Sequence, residues 1–66
     1  MTELRKRIVK FCHIYYLEHD FAPSYQDIAL RFGISYNRAK DNIMVLDQMG
    51  YIEHLGNRQI KVLYLP

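Results

Sequence analysis

Apolar residues in the first 19 positions recur at spacings of three and four, the period of a helix with one buried face. Thr2 precedes this pattern and is a residue type that commonly caps a helix start. The pattern therefore predicts a first helix over residues 2–19. The residues that share its apolar face are Leu4, Ile8, Phe11, Cys12 and Tyr15.

A second, shorter helix is predicted over residues 25–32. Ser24 followed by Asp27 resembles a capping box, in which a hydroxyl and an acid three residues later satisfy the first free N–H groups. Gly33 is suited to end the helix because a left-handed residue often follows the last turn. Before the helix, Pro23 disfavours helical backbone, and we expect Phe21 to enter the core. The inward residues of this helix are Ile28, Ala29 and Phe32.

The third predicted helix covers residues 36–49, with Ser35 as its N-cap and Gly50 as its stop. Its buried stripe is predicted to hold Ala39, Ile43 and Leu46, with either Val45 or Met49.

The apolar pattern then changes to the alternation of strands, and residues 51–65 are predicted to form a β-hairpin. Residues 51–55 and 59–65 are its strands, with Gly56-Asn57-Arg58 as the turn. The chain is thus predicted to be a single domain over residues 1–66, mainly α with a small β-hairpin.

Several short motifs in this order resemble a winged helix-turn-helix domain, and the chain is similar to the DNA-binding domain of LexA repressors and to MarR-like winged helices. The motifs are Ala22-Pro23-Ser24, Asp27-Ile28-Ala29, Phe32-Gly33-Ile34 and Met49-Gly50-Tyr51-Ile52-Glu53. The spacing from Gly33 to Gly50 matches many MarR-like proteins and is one residue shorter than in LexA. The self-cleaving domain of LexA and the dimerisation helices of MarR proteins have no counterpart in these residues. The alternative is an ordinary corner between two helices in another small helical fold.

The resemblance implies a sequence-specific protein for double-stranded DNA, a transcriptional regulator of repressor type, with helix 36–49 in the major groove and the wing on an adjacent groove or the backbone. Asn37 would pair with adenine, and Arg38 or Lys40 with guanine or a phosphate. The other candidates are Ser35 with its helix start for a phosphate, Arg58 for the minor groove with Lys61 in support, and Ser24, Tyr25 and Tyr36 for the backbone. The alternative for each is a solvated surface role, which we prefer for Asp41.

Composition permits this function without requiring it. The chain has nine Lys and Arg residues and seven Asp and Glu residues, which gives a formal net charge of +2. The densest basic cluster lies in the first helix and is expected to be solvated; it comprises Arg5, Lys6, Arg7 and Lys10. Cys12 is the only cysteine, which excludes an internal disulfide. No run of apolar residues is long enough for a membrane span and no signal-peptide pattern begins the chain, so we expect a cytoplasmic location, either nucleoid-associated or in a host cytoplasm if viral.

Catalytic and metal chemistry find little support in these residues. The three histidines and Cys12 lack the spacing of zinc ligands, and no nucleophile with a base or glycine-rich phosphate loop is present. We therefore expect neither an enzyme nor a bound cofactor.

Two other functions remain open. One is a winged-helix module that docks a protein partner through its third helix or wing. The other is an accessory DNA-binding factor in replication or recombination. DNA binding requires Arg38, Lys40, Arg58 and Lys61 to converge on one face. Weak affinity of a single reading helix favours a homodimer, and residues 62–65 are the candidate contact.

Overall fold

A computed structural model describes residues 1–66 and contains three helices followed by a two-stranded antiparallel hairpin. The predicted fold class, mainly α with a small β-hairpin, is confirmed. None of the helices is both long and apolar enough to cross a bilayer. The elements are α1 (Glu3–His19), α2 (Tyr25–Phe32), α3 (Tyr36–Gln48), β1 (Ile52–Gly56) and β2 (Gln59–Val62).

Each helix begins at a hydroxyl residue whose side chain accepts a hydrogen bond from a backbone N–H of the first turn. These caps are Thr2, Ser24 and Ser35. At α2 the capping box is complete, because Asp27 also accepts the Ser24 N–H at 3.0 Å. Gly33 ends α2 with φ +65°, and a Cβ there would meet no atom within 4 Å. Glycine is therefore needed at this turn for its backbone conformation and not for space.

The core lies where the three helices and the inner face of the hairpin meet. Val9 adds to the predicted face of α1 and is fully buried. In α3, Val45 is half-buried whereas Met49 is 44 % exposed, so Val45 is the residue that completes the stripe. The buried apolar residues are Ile8, Val9, Cys12, Ala22, Tyr25, Ile28, Ala29, Ala39, Ile43, Leu46, Ile52 and Ile60.

The hairpin packs β1 against α3 and β2 against α1. Its register pairs Ile52 with Val62 and Gly56 with Gln59, and a shift between His54 and Gly56 leaves Leu55 as an extra residue. Such a bulge bends the strand and strengthens its twist. The tip of the hairpin contacts the start of α2, where Asn57 accepts the Tyr25 N–H.

Two expectations about the chain path are wrong. Phe21 does not enter the core and is 46 % exposed, while Ala22 and Pro23 are buried in its place. The second strand ends at Val62, three residues earlier than predicted. Beyond it the N–H groups of residues 63 and 64 both donate to the carbonyl of Tyr51.

Candidate nucleic-acid interface

The N-terminal half of α3 presents the predicted contact residues to solvent. Tyr36, Asn37, Arg38 and Lys40 are all exposed. The side chains of Asn37, Arg38 and Lys40 make no hydrogen bond or salt bridge within the chain. Ser35 is also exposed, and its hydroxyl accepts the Arg38 N–H at 3.1 Å. The polar side chains of Asn37, Arg38 and Lys40 therefore lie on one helix end with their bonding capacity unused.

Ser24 and Tyr25 take structural roles instead of facing outward. Ser24 is 8 % exposed and holds the capping box of α2. Tyr25 is 4 % exposed; its N–H donates to Asn57 Oδ1 at 2.8 Å, and its hydroxyl bonds with Nε2 of His54. Neither side chain is available to a ligand in this conformation, so we remove both from the interface.

Burial raises the pKa of Tyr25, and the nearby Tyr36 acts in the same direction. The hydroxyl of Tyr25 therefore stays protonated and can donate to the imidazole of His54. Because Tyr36 packs edge-on against the buried ring of Tyr25 at 5.6 Å, Tyr25 also supports the start of α3.

Arg58, the candidate for a minor groove, is folded back onto the start of α2. Its Nη2 lies 3.1 Å from Asp27 Oδ2, and its Nη1 donates to the Ala22 carbonyl at 3.2 Å and to the Tyr15 hydroxyl at 3.4 Å. The guanidinium also lies 5.0 Å from the ring centroid of Phe21. The tip of the hairpin is thus fixed by side-chain contacts, which the sequence pattern alone did not indicate.

The same contacts stabilise the carboxylate at their centre. The Ser24 N–H is the main cause that lowers the pKa of Asp27, with further contributions from the Ser24 and Tyr15 hydroxyls and from Arg58. In turn, the bond to the Tyr15 hydroxyl, followed by the charge of Asp27, raises the pKa of Arg58. At neutral pH both partners are therefore charged.

The four cations required for DNA binding fall into two groups. Arg38 and Lys40 lie on α3, whereas Arg58 and Lys61 line a cleft with Tyr16 that includes no residue of α3. Lys61 is exposed and pairs across the hairpin with Glu53, an acid of opposite charge. Arg58 bonds to Asp27 and Lys61 faces Glu53, whereas Arg38 and Lys40 are exposed and make no salt bridge.

One residue that supports the candidate interface went unnoticed in the sequence. Asn42 is 8 % exposed; its Nδ2 donates to the Arg38 carbonyl at 2.9 Å and its Oδ1 accepts from Arg5 Nε at 3.1 Å. It therefore joins α3 to α1 directly beneath the exposed helix end. The sequence could have indicated its burial, because Asn42 lies three residues after Ala39 and therefore on the apolar face of the helix.

The lone cysteine has no role at the surface. Cys12 is buried, and desolvation raises the pKa of its thiol to about 12. A thiol with so little thiolate at neutral pH is a poor nucleophile and a poor metal ligand.

No protein-family model matches the chain, and a comparison with curated proteins gives no significant match. The order of three helices and an antiparallel hairpin is compatible with a winged-helix layout. The function is therefore inferred from the residues and their geometry.

Proposed function

We propose that this protein is a winged helix-turn-helix regulator that binds double-stranded DNA and acts as a repressor by occupying its site. The observation that carries the proposal is the unused polar surface at the start of α3, formed by Asn37, Arg38 and Lys40. Two cations and an amide beside a helix N-terminus are the groups that major-groove recognition requires.

We assign different DNA contacts to the exposed residues of α3. Asn37 suits the paired donor and acceptor of adenine, and Arg38 suits guanine, which accepts at two positions. Lys40 supplies a charge for a phosphate. The backbone N–H groups of Tyr36 and Asn37 have no acceptor within the chain, so with Ser35 they offer donors to a second phosphate.

The hairpin contributes less than the resemblance implies. Lys61 is exposed and makes no salt bridge, so it is free to approach a phosphate. A contact between Arg58 and DNA would require it to leave Asp27 and the Ala22 carbonyl. We therefore propose α3 as the main reading element and retain Arg58 as a secondary contact.

The test is binding to a random-sequence 24-base-pair duplex, measured by fluorescence anisotropy at two salt concentrations. Wild type is compared with Arg38→Ala plus Lys40→Ala. We expect the double variant to bind more weakly and its salt slope to fall by roughly one, for the phosphate contact of Lys40. Absence of wild-type binding at low salt would refute DNA binding.

A matched control removes two other exposed cations, Lys10→Ala plus Arg31→Ala, which lie on α1 and α2. The change in net charge is the same, so a general electrostatic effect would weaken both variants equally. Equal losses in the two variants would mean that α3 is not the binding face. Selection of tight binders from a random duplex pool would then test sequence specificity.

Docking of a protein partner on α3 is the second candidate function. It is favoured by the separation of Arg58 and Lys61 from the α3 cations and by the modest net charge of +2. Under this alternative, DNA affinity is low and unchanged in the α3 variant. An accessory role in replication or recombination would use the same DNA-binding surface, and we place it after transcriptional regulation.

A further inference from the structure

An open groove of about 690 Å³ runs between α1 and α2. No residue of α3 or of the hairpin lines it. Its floor is apolar: Phe11 and Phe32 meet edge to face at 5.6 Å, and Ile14 and Tyr15 extend the same surface along α1. Ile14 is 41 % exposed, so part of this floor faces water in the free chain.

The rim of the groove carries an unbalanced positive charge. Arg7, Lys10 and Arg31 line it, against one acid, Glu18. This excess of two positive charges equals the formal net charge of the whole chain, so the charges of the remaining Lys, Arg, Asp and Glu residues sum to zero.

The rim charges are also largely free of partners. Lys10 and Arg31 make no salt bridge, and Arg7 makes only an exposed contact of 3.6 Å with Glu3, a pair that contributes little. The guanidinium of Arg31 lies 5.2 Å from the ring centroid of Phe32, which places it beside the apolar floor.

We propose that this groove binds an acidic protein segment that carries one aromatic or large aliphatic residue. The acidic side chains pair with Lys10 and Arg31 on the rim, and the apolar residue covers the floor between Phe11 and Phe32. From Arg7 to His19, α1 rises by about 18 Å, which accommodates roughly five residues of an extended segment.

Charge and apolarity together favour a peptide over DNA at this groove. A sugar-phosphate backbone is held by charges and hydrogen bonds and gains little from an apolar floor of half-buried Phe and exposed Ile side chains. An acidic segment with an apolar anchor complements both features at once. The inference is independent of DNA binding, since none of the groove residues lies on α3.

The probe is a fluorescein-labelled nine-residue peptide of glutamates with one central phenylalanine. Two control peptides replace the phenylalanine with alanine or the glutamates with lysines. We expect the probe to bind and to shift the amide resonances of Phe11, Arg31 and Phe32. The alanine peptide is expected to bind roughly tenfold more weakly, and the lysine peptide not at all.

Protein variants then locate the site. Lys10→Glu plus Arg31→Glu is expected to weaken binding of the probe by at least about tenfold. Lys6 lies one helical turn before Lys10 and does not line the groove, so Lys6→Glu is expected to change the affinity by less than about twofold. Lys10→Gln plus Arg31→Gln gives the same comparison with a smaller change of charge if the first variant does not fold.

Three results would overturn the proposal: no binding of the probe, an equal loss in the Lys6→Glu variant, or equal affinity for the lysine peptide. If a 24-base-pair duplex competes with the probe and its own affinity depends on Lys10 and Arg31, DNA is the occupant and the peptide proposal is wrong. The α3 variant is tested in parallel, so failure at the groove does not decide the function of α3.

Discussion

Tyr25 joins three parts of the chain through a single side chain. It opens α2, packs edge-on against Tyr36 at the start of α3, and bonds through its hydroxyl to His54 on β1. Its ring is buried while its polar atom has a partner, the arrangement in which an aromatic residue contributes both area and a satisfied hydrogen bond. A tyrosine in this place therefore positions the start of α3 from within the core.

Tyr25→Phe is expected to lower the free energy of unfolding by about 1 kcal/mol, because it leaves the His54 nitrogen without its partner in a partly buried site. Urea denaturation followed by circular dichroism measures the change. Tyr16→Phe is the control, since Tyr16 is 53 % exposed and its hydroxyl makes no hydrogen bond. Equal stability of the Tyr25→Phe variant and wild type would show that the bond to His54 contributes nothing.

At the scale of elements, the start of α2 is the point where the hairpin is attached. Asp27 completes the capping box and pairs with Arg58, while Asn57 accepts the first N–H of the helix. Asn57 and Arg58 of the hairpin turn therefore satisfy a free N–H and neutralise a carboxylate in the first turn of α2. The hairpin contributes to the helix as well as to the core.

The stability of this junction is expected to depend on acid pH. The folded-state pKa of Asp27 lies below its ordinary value of 3.8, so its contribution is complete above that value and is lost as the pH falls through the folded-state pKa. Wild type should be more stable than Asp27→Asn by about 1 kcal/mol at pH 7, and the difference should shrink towards pH 2.

Urea denaturation at several pH values measures this difference. The control is Asp41→Asn, a change to an exposed aspartate of α3 that makes no hydrogen bond or salt bridge. A difference between wild type and Asp27→Asn that stays constant from pH 7 to pH 2 would contradict the proposed role of the carboxylate.

The amide contact of the hairpin tip can be tested separately. Asn57→Ala removes the acceptor of the Tyr25 N–H, and we expect faster hydrogen exchange at that amide with a loss of about 1 kcal/mol in the free energy of unfolding. Gln59→Ala changes another exposed residue close to the turn and is expected to leave the Tyr25 amide unchanged. Equal exchange in both variants would mean that the tip does not protect α2.

Regular elements were predictable from the sequence because their signals are local. Period, hydroxyl caps and Gly33 placed all three helices within a residue or two of their observed bounds. The surface position of Phe21 was not predictable from the local pattern, because its ring packs against Arg58, which lies 37 positions later. The exposure of the candidate residues on α3 was predictable, because they lie outside the buried stripe of that helix. The salt bridge between Arg58 and Asp27 was not, because it joins residues that are distant in the sequence.

At the scale of the whole molecule, the cations occupy separate regions. The pair on α3 faces solvent near a helix start, and a second group lines the groove between α1 and α2. If both proposals hold, the protein binds DNA through one surface and an acidic partner through another, so the two ligands do not compete. This arrangement fits a regulator that recruits or is held by a second protein.

Self-association is predicted to involve the C-terminal residues. Leu63, Tyr64 and Leu65 are 44, 68 and 53 % exposed and follow the last residue of β2, so we expect association to rest on their side chains. We expect wild type to form a homodimer with rising concentration, and Leu63→Ser plus Tyr64→Ser to remain monomeric.

Sedimentation equilibrium over a hundredfold range of concentration measures the association. Leu30→Ser plus Leu55→Ser is the matched control, because these leucines are 72 and 75 % exposed at other sites. A monomeric wild type across the whole range would contradict the prediction, and an equal effect of the control would mean that association is not localised at the C-terminus.

The contacts of the hairpin tip also shape how the protein unfolds. Asn57 and Arg58 bond to groups 31 to 43 positions earlier, so these bonds form only when distant parts of the chain are both in place. Opening the tip exposes the first turn of α2, and fraying of that turn releases the tip. Amides of α2 and of the hairpin should therefore exchange with similar free energies, which makes the junction one cooperative unit in a chain of 66 residues.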